Sequence, residues 1–135
     1  MSERKAALVT GSTSGIGLGI ATAFAKAGMD VTLNGLGDAA EIEKVRAGLE
    51  REHGVTVRYD GANLMQADAC AGMVEAAIGA FGRLDVLVNN AGIQFVSPIE
   101  EFPVDKWNAI LALNLSSSFH TIRAAFAHMK QRKYG

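Results

Sequence analysis

Two periods of hydrophobicity alternate along the chain. Ala6-Ala7-Leu8-Val9, Val31-Thr32-Leu33-Asn34, Val55-Thr56-Val57-Arg58-Tyr59 and Leu84-Asp85-Val86-Leu87-Val88-Asn89 are short apolar or β-branched runs of strand length. Segments of helical spacing separate them: Gly15 to about Lys26, stopped by Gly28; about Asp38 to Glu52, ended by Gly54; and Gln66 to Ala80, closed by Gly82. The second of these is rich in Glu, Lys and Arg, which predicts one wet face, and Asp38 is placed to cap it. Pro98 to about Leu113 reads as mostly helical, and a last helix runs from around Ser116 to Arg132. Ser116, Ser117 and Ser118 at its start read as capping or packing residues. Strands that are apolar throughout and separated by helices predict an α/β fold, a doubly wound parallel sheet with right-handed crossovers. The chain has no linker, no low-complexity tract and no repeat beyond the βα unit itself, so residues 1–135 form a single unit.

The first strand leads into its helix through Thr10-Gly11-Ser12-Thr13-Ser14-Gly15-Ile16-Gly17. A buried strand that turns through glycines into a helix N-terminus is a place to hold a phosphate. The first-turn N–H groups have no partner inside the helix, and the positive end of the helix dipole faces the same way. Gly11 suits a tight turn, Gly15 a close backbone approach to a pyrophosphate, and Gly17 close packing of helix and strand. The fourth strand ends in Asn89-Asn90-Ala91-Gly92. In a doubly wound sheet that strand lies beside the first, so both loops emerge at the carboxyl edge where strand order reverses and ligands bind.

Composition narrows the partners. Thirteen basic and fourteen acidic residues leave a formal charge of −1, which gives no electrostatic case for nucleic acid or an anionic membrane. Lys130, Arg132 and Lys133 sit where cations suit a helix C-terminus. Cys70 is the single cysteine, which excludes an internal disulfide and a cysteine-based zinc site; it reads as a small packing residue, and a reducing cytoplasm fits. No run approaches the roughly 20 apolar residues of a membrane-spanning helix. The glycine loop lacks a following Gly-Lys-Ser/Thr, which disfavours a P-loop triphosphate site.

The spacing Thr10-Gly-x-x-x-Gly-Ile-Gly17 together with Asn89-Asn-Ala-Gly92 resembles the short-chain dehydrogenase/reductase family, and Asn114 in Leu113-Asn114-Leu115 looks like that family's active-site asparagine. The resemblance implies a Rossmann-type site for a nicotinamide dinucleotide and hydride transfer at a secondary alcohol carbon. Carried over, Gly11, Thr13, Ser14, Gly15 and Ile16 are expected to hold the pyrophosphate and adjoining ribose. Asn90, Ala91 and Gly92, with Leu113 behind them, are expected to line the adenosine and central part of the cofactor, flanked by Leu36, Asn63 and Leu64. Asn63 stands where the family often has an acidic residue, and its amide carbonyl can still accept from the adenine amino group. NAD rather than NADP is expected: Asn34-Gly35-Leu36-Gly37 and Ser12-Thr13 offer no cation to a 2′-phosphate.

Asn34-Gly-Leu-Gly37, Asn89-Asn-Ala-Gly-Ile-Gln94 and Ser97-Pro-Ile-Glu-Glu-Phe-Pro-Val-Asp-Lys-Trp-Asn-Ala-Ile110 resemble a branch of that family acting on (R)-3-hydroxybutyrate and acetoacetate. This implies a small hydroxy/keto acid substrate whose carboxylate Gln94 helps bind, with Asn114 in the proton relay, no metal, and a homotetramer when full length. The resemblance also calls for a Tyr-x-x-x-Lys pair and an upstream serine. Tyr59 lies in the third strand and Tyr134 is followed only by Gly135. The chain therefore reads as the dinucleotide-binding half of one domain, ending after the fourth strand and its following helices, with the C-terminal catalytic half absent. Alone it is expected to be inactive and to leave the fourth strand as an open edge. Relatives with other small substrates and a non-catalytic dinucleotide-binding module are the alternatives.

Overall fold

The computed structural model describes residues 3–135. Strands β1 (Ala6–Val9), β2 (Asp30–Asn34), β3 (Val57–Asp60) and β4 (Val86–Val88) form a parallel sheet in the order β3-β2-β1-β4. Helices α1 (Gly15–Lys26), α2 (Ala39–His53), α3 (Ala67–Phe81), α4 (Val104–Leu111) and α5 (Ser117–Arg132) accompany it. β1 pairs with β2 on one side and with β4 on the other, so strand order reverses between β1 and β4, as the doubly wound reading requires.

β1 is wholly buried because both faces of the sheet are covered. Leu8 packs with Met73, Val74 and Ala77 of α3 and Ala125 of α5, whereas Val9 packs with Ala21 and Ala25 of α1 and Leu49 of α2. Successive side chains along a strand point to opposite faces, and this alternation divides the core into two layers. Cys70 lies in the first layer; its thiol donates to the Leu64 carbonyl at 3.3 Å, and burial pushes its pKa up. Asp38 caps α2 by accepting from the Ala40 N–H at 3.0 Å. No helix among the described residues is long and apolar enough to cross a membrane.

The opposite rim of the sheet from the strand C-termini is pinned by the buried Asp85. Its carboxylate accepts from the Ala6 N–H and from Arg83, each at 2.8 Å, and pairs with Arg132 of α5 at 3.2 Å. Burial works to raise its pKa, but Arg83, the Ala6 N–H and Arg132 together outweigh that and hold the carboxyl below the usual range.

β3 runs Val57–Asp60 rather than Val55 to Tyr59, and the structure differs further from the periodicity at three places. The fourth strand is Val86–Val88 rather than Leu84 to Asn89. The Leu84 N–H donates to His128 Nε2 at 3.1 Å, and Asn89 turns its side-chain carbonyl to the Thr121 hydroxyl at 2.6 Å, so α5 takes up both ends of the run. The stretch from Pro98 is not one helix. A 3₁₀ turn at Ile99–Glu101 is separated from α4 by Phe102-Pro103, because proline cannot continue a helix and biases the residue before it to extended backbone. α4 then joins α5 through a π-helical turn at Ala112–Ser116. The backbone is already helical at Ser116, so the serines cap nothing; instead the buried Ser117 hydroxyl donates back to the Leu113 carbonyl at 2.5 Å.

Along α4 and α5 a row of apolar side chains is exposed at three- and four-residue spacing: Val104, Trp107, Leu111, Leu115, Phe119, Ile122 and Phe126. A groove of about 360 Å³ runs between the last of these and the free side of β4, with Ile122, Phe126 and Met129 on one wall and Val86 and Leu87 on the other.

Candidate functional site

The carboxyl ends of all four strands converge on a cleft of about 490 Å³. Hydrogen bonds between the loops build its floor. The Thr10 hydroxyl accepts from the Asn90 and Ala91 N–H groups at 2.9 and 3.0 Å. Asn90 Nδ2 in turn donates to the Thr10 and Gly11 carbonyls at 3.1 and 3.0 Å, so the loops after β1 and β4 are tied in both directions. On the other side, the Gly11 N–H donates to Asn34 Oδ1 at 3.2 Å and the Ser12 N–H to the Asn34 carbonyl at 2.6 Å. Asn34 Nδ2 then donates to the Asp60 and Ala62 carbonyls at 3.0 and 3.2 Å, which brings in the loop after β3.

Glycine is required where backbone meets backbone. Gly11 has φ +59°, and a Cβ there would stand 3.0 Å from Ala91 Cα. A Cβ on Gly17 would run into the Gly11 carbonyl and stand 2.6 Å from Asn90 Nδ2, so at this position α1 seats against the two joined loops, while Ala21 and Ala25 pack on the strands. Gly15 has φ +58° and open space around it, leaving its backbone approachable from outside. Ser14 precedes α1 in extended conformation and makes no side-chain cap, and no acidic residue occupies the first turn. The first-turn N–H groups of α1 thus have neither a side-chain cap from Ser14 nor an acidic neighbour in the same turn, a setting that suits an anion.

The structure brings most of the expected residues together. Gly11, Thr13, Ser14, Leu36, Asn63, Leu64, Asn90, Ala91, Gly92 and Leu113 all line the cleft. Gly15 and Ile16 lie outside the lining but are exposed beside it, Ile16 to 79%. Asn63 Oδ1 accepts from the Met65 N–H at 3.1 Å, which steers the amide while leaving a second lone pair on that oxygen. Gln94 is exposed and outside the cleft lining, in the segment that leaves Gly92. Asn114 reaches that segment from the π-helical turn: its Oδ1 accepts from the Ile93 N–H and its Nδ2 donates to the Ile93 carbonyl, both at 2.8 Å. Its side chain therefore grips the backbone next to Gln94.

Sequence reasoning took the bends for ligand contacts and missed that Thr10, Ser12 and Asn34 hold them together. All three are buried polar side chains, Thr10 and Asn34 at strand ends and Ser12 in the glycine loop, and those positions were the available signal. Gly35, Ala62 and Met65 also line the cleft. None of the lining residues is charged, so an anion there would meet only backbone N–H groups and neutral side-chain donors such as the Thr13 and Ser14 hydroxyls.

The family profile of short chain dehydrogenases matches residues 5–135. A D-beta-hydroxybutyrate dehydrogenase of Cupriavidus necator is 50% identical over 137 aligned positions, covering 100% of this chain and 52% of the relative. A metagenomic short-chain oxidoreductase solved in complex with NADP superposes with a TM-score of 0.90 at 32% identity, covering 97% of this chain and 59% of that one. NAD+-bound xylitol dehydrogenase superposes with a TM-score of 0.88 at 32% identity, covering 97% and 50%. The chain spans about half the length of the curated relatives it matches.

Proposed function

The chain belongs to the short chain dehydrogenase family, and we propose that it is the NAD-binding half of an oxidoreductase interconverting (R)-3-hydroxybutyrate and acetoacetate. The observation that carries this reading is the uncharged cleft at the strand-order reversal, open where α1 begins and floored by the joined β1 and β4 loops. The 50% identity to a D-beta-hydroxybutyrate dehydrogenase supports the substrate.

In this reading Gly11, Thr13, Ser14, Gly15 and Ile16 bind the pyrophosphate and the adjoining ribose through first-turn N–H groups and uncommitted hydroxyls. Leu36, Asn63 and Leu64 enclose the adenosine, and Asn90, Ala91, Gly92 and Leu113 form the wall under the middle of the dinucleotide. Bound there, the nicotinamide supplies the acceptor for a hydride leaving C3 of the hydroxy acid. Gln94 donates its amide N–H to the substrate carboxylate, and Asn114 keeps the Ile93–Gln94 backbone in place and holds a water of the proton relay. The hydroxyl proton needs a base with a tuned pKa. Residues 1–135 contain no Tyr-x-x-x-Lys to provide one, so we expect this chain alone to be inactive.

NAD is preferred because a dianionic 2′-phosphate would meet no cation in the cleft. The exposed apolar row from Val104 to Phe126 supports assembly of full-length copies into a tetramer through α4 and α5. The single buried cysteine suits a reducing cytoplasm. Fluorescence titration with NADH and NADPH tests the cofactor. NADH is expected to bind at least tenfold more tightly, and equal or tighter binding of NADPH refutes the preference. A second reading is a dinucleotide-binding module without catalysis. Reading the encoding gene past Gly135 separates the two: an in-frame serine followed by Tyr-x-x-x-Lys supports the enzyme.

A further inference from the structure

β2 ends at Asn34 and Gly35 follows it; of the asparagines in the chain, Asn34 alone precedes a glycine. That dipeptide has a chemistry of its own. A backbone nitrogen attacks the side-chain amide carbon of the asparagine before it, unless a Cβ on its own residue stands in the way. Glycine has no Cβ. The shield cannot be supplied here, because a Cβ on Gly35 would stand 2.9 Å from Thr13 Cγ2 and 3.2 Å from Thr13 Cβ. The packing of the rim therefore keeps a reactive pair in place.

Asn34 is also the hub of the rim. It is 1% exposed; its Oδ1 accepts from the Gly11 N–H at 3.2 Å, and its Nδ2 donates to the Asp60 and Ala62 carbonyls at 3.0 and 3.2 Å. Its own N–H donates to Ser12 Oγ at 3.0 Å, and the ladder sets it opposite Asp60 of β3. Attack requires the amide to turn toward the Gly35 nitrogen, and that turn breaks all three side-chain bonds. We propose that Asn34-Gly35 is a latent deamidation site, which the rim's hydrogen bonds hold closed and whose reaction takes that rim apart.

When the rim opens, the Gly35 N–H gives its proton to hydroxide and the nitrogen attacks Asn34 Cγ. The N–Cγ bond forms, the Cγ–Nδ2 bond breaks, and Nδ2 takes a proton from water and leaves as ammonia, closing a succinimide ring. Water then opens the ring at one carbonyl or the other, leaving aspartate or isoaspartate at position 34; nothing is oxidised or reduced. In the product a carboxylate oxygen faces the Asp60 and Ala62 carbonyls, acceptor against acceptor. A negative charge also enters a cleft that has no charged lining residue. Isoaspartate lengthens the main chain as well, which displaces Gly35 from its place beside Thr13. The site depends on hydrogen bonds within the chain and stands whatever the cleft binds.

The test is peptide mapping by mass spectrometry, which reads the mass gained as amide becomes acid, on the full chain kept at mildly alkaline pH with and without urea. In urea the peptide holding Asn34 should convert faster than those holding the other asparagines. Folded, it should convert at least about tenfold more slowly than in urea, since three hydrogen bonds must open first, each worth a factor of roughly two to ten. Ser12→Ala releases the Asn34 N–H, so it should speed the folded reaction roughly two- to tenfold and leave the rate in urea unchanged; circular dichroism verifies that this variant is folded. Asn34→Asp, which makes one product directly, should lower the urea midpoint or fail to fold. Equal rates for the parent with and without urea overturn the proposal, as does a Ser12→Ala chain that reacts at the parent's rate when folded. An Asn34→Asp chain with the parent's urea midpoint overturns the claim that the reaction dismantles the rim.

Discussion

Replacing Thr10 with valine removes one oxygen and keeps the shape. Thr10 is 2% exposed, so its methyl group and backbone stay where they are. The hydroxyl is the acceptor for both the Asn90 and Ala91 N–H groups. Without it two donors at the joint between the β1 and β4 loops lose their partner. A fully buried orphan donor costs about 1–3 kcal/mol; these are partly buried, so about 1 kcal/mol each is appropriate, or about 2 kcal/mol together. That is a factor of roughly 30 in the folding equilibrium and about 6 °C in Tm for a domain of this size. Thr10→Ser is the discriminating control, since it keeps both hydrogen bonds and loses a single methyl, worth about 0.8 kcal/mol. Urea denaturation of the two variants gives the order directly: valine should be the less stable. If the loops were held by packing alone, serine would be the less stable, and that order refutes the hydrogen-bonded joint. NADH binding should fall with valine and survive with serine.

Gly17→Ala should destabilise by about 1–3 kcal/mol through collision with Gly11 and Asn90, although alanine is the better helix former by about 1 kcal/mol; a gain in urea midpoint counts against the close seat of α1. The Asp85 carboxyl has its pKa lowered in the fold, so its stabilisation is present above the unfolded value near 3.9 and lost as pH falls through the folded value. Asp85→Asn should cost about 2–3 kcal/mol at pH 7, discounted because Arg83 and Arg132 are partly exposed. The variant's urea midpoint should vary less with pH below about 4 than the parent's, and parallel curves would show that the carboxylate is not the acid-sensitive group. Asn114→Ala should speed hydrogen exchange at the Ile93 amide by roughly threefold or more, as one exposed hydrogen bond is lost; unchanged exchange means that the clamp does not order this segment.

The sheet and the cleft were legible in the sequence for different reasons. The parallel sheet followed from apolar runs alternating with helices, because crossover helices cover both faces, and the place of the fourth strand beside the first followed from the doubly wound pattern. The cleft followed from glycines at two strand ends, since Gly11 and Gly17 stand where any Cβ would strike backbone or the Asn90 amide. What could not be read depends on partners far apart in the chain. Leu84 has an ordinary strand residue's composition and leaves the ladder because His128 of α5 takes its N–H. The three serines at 116–118 look like a cap in one dimension, but the helix had already begun at α4 and passes through them by a widened turn. Asn34 and Thr10 were visible as polar residues ending strands; that each binds neighbouring loops rather than a ligand is a property of the assembled rim.

The cross-tied rim has a thermodynamic corollary. Because Thr10, Ser12, Asn34 and Asn90 satisfy one another within the protein, the bends at this end of the cleft are ordered before anything enters, and little entropy remains to be lost there when a guest arrives. The exposed Ile93–Val96 segment is held differently, by the Asn114 amide at Ile93 and by the edge-on packing of Phe95 against Phe102. A guest in this cleft would therefore meet a rim whose shape is already set.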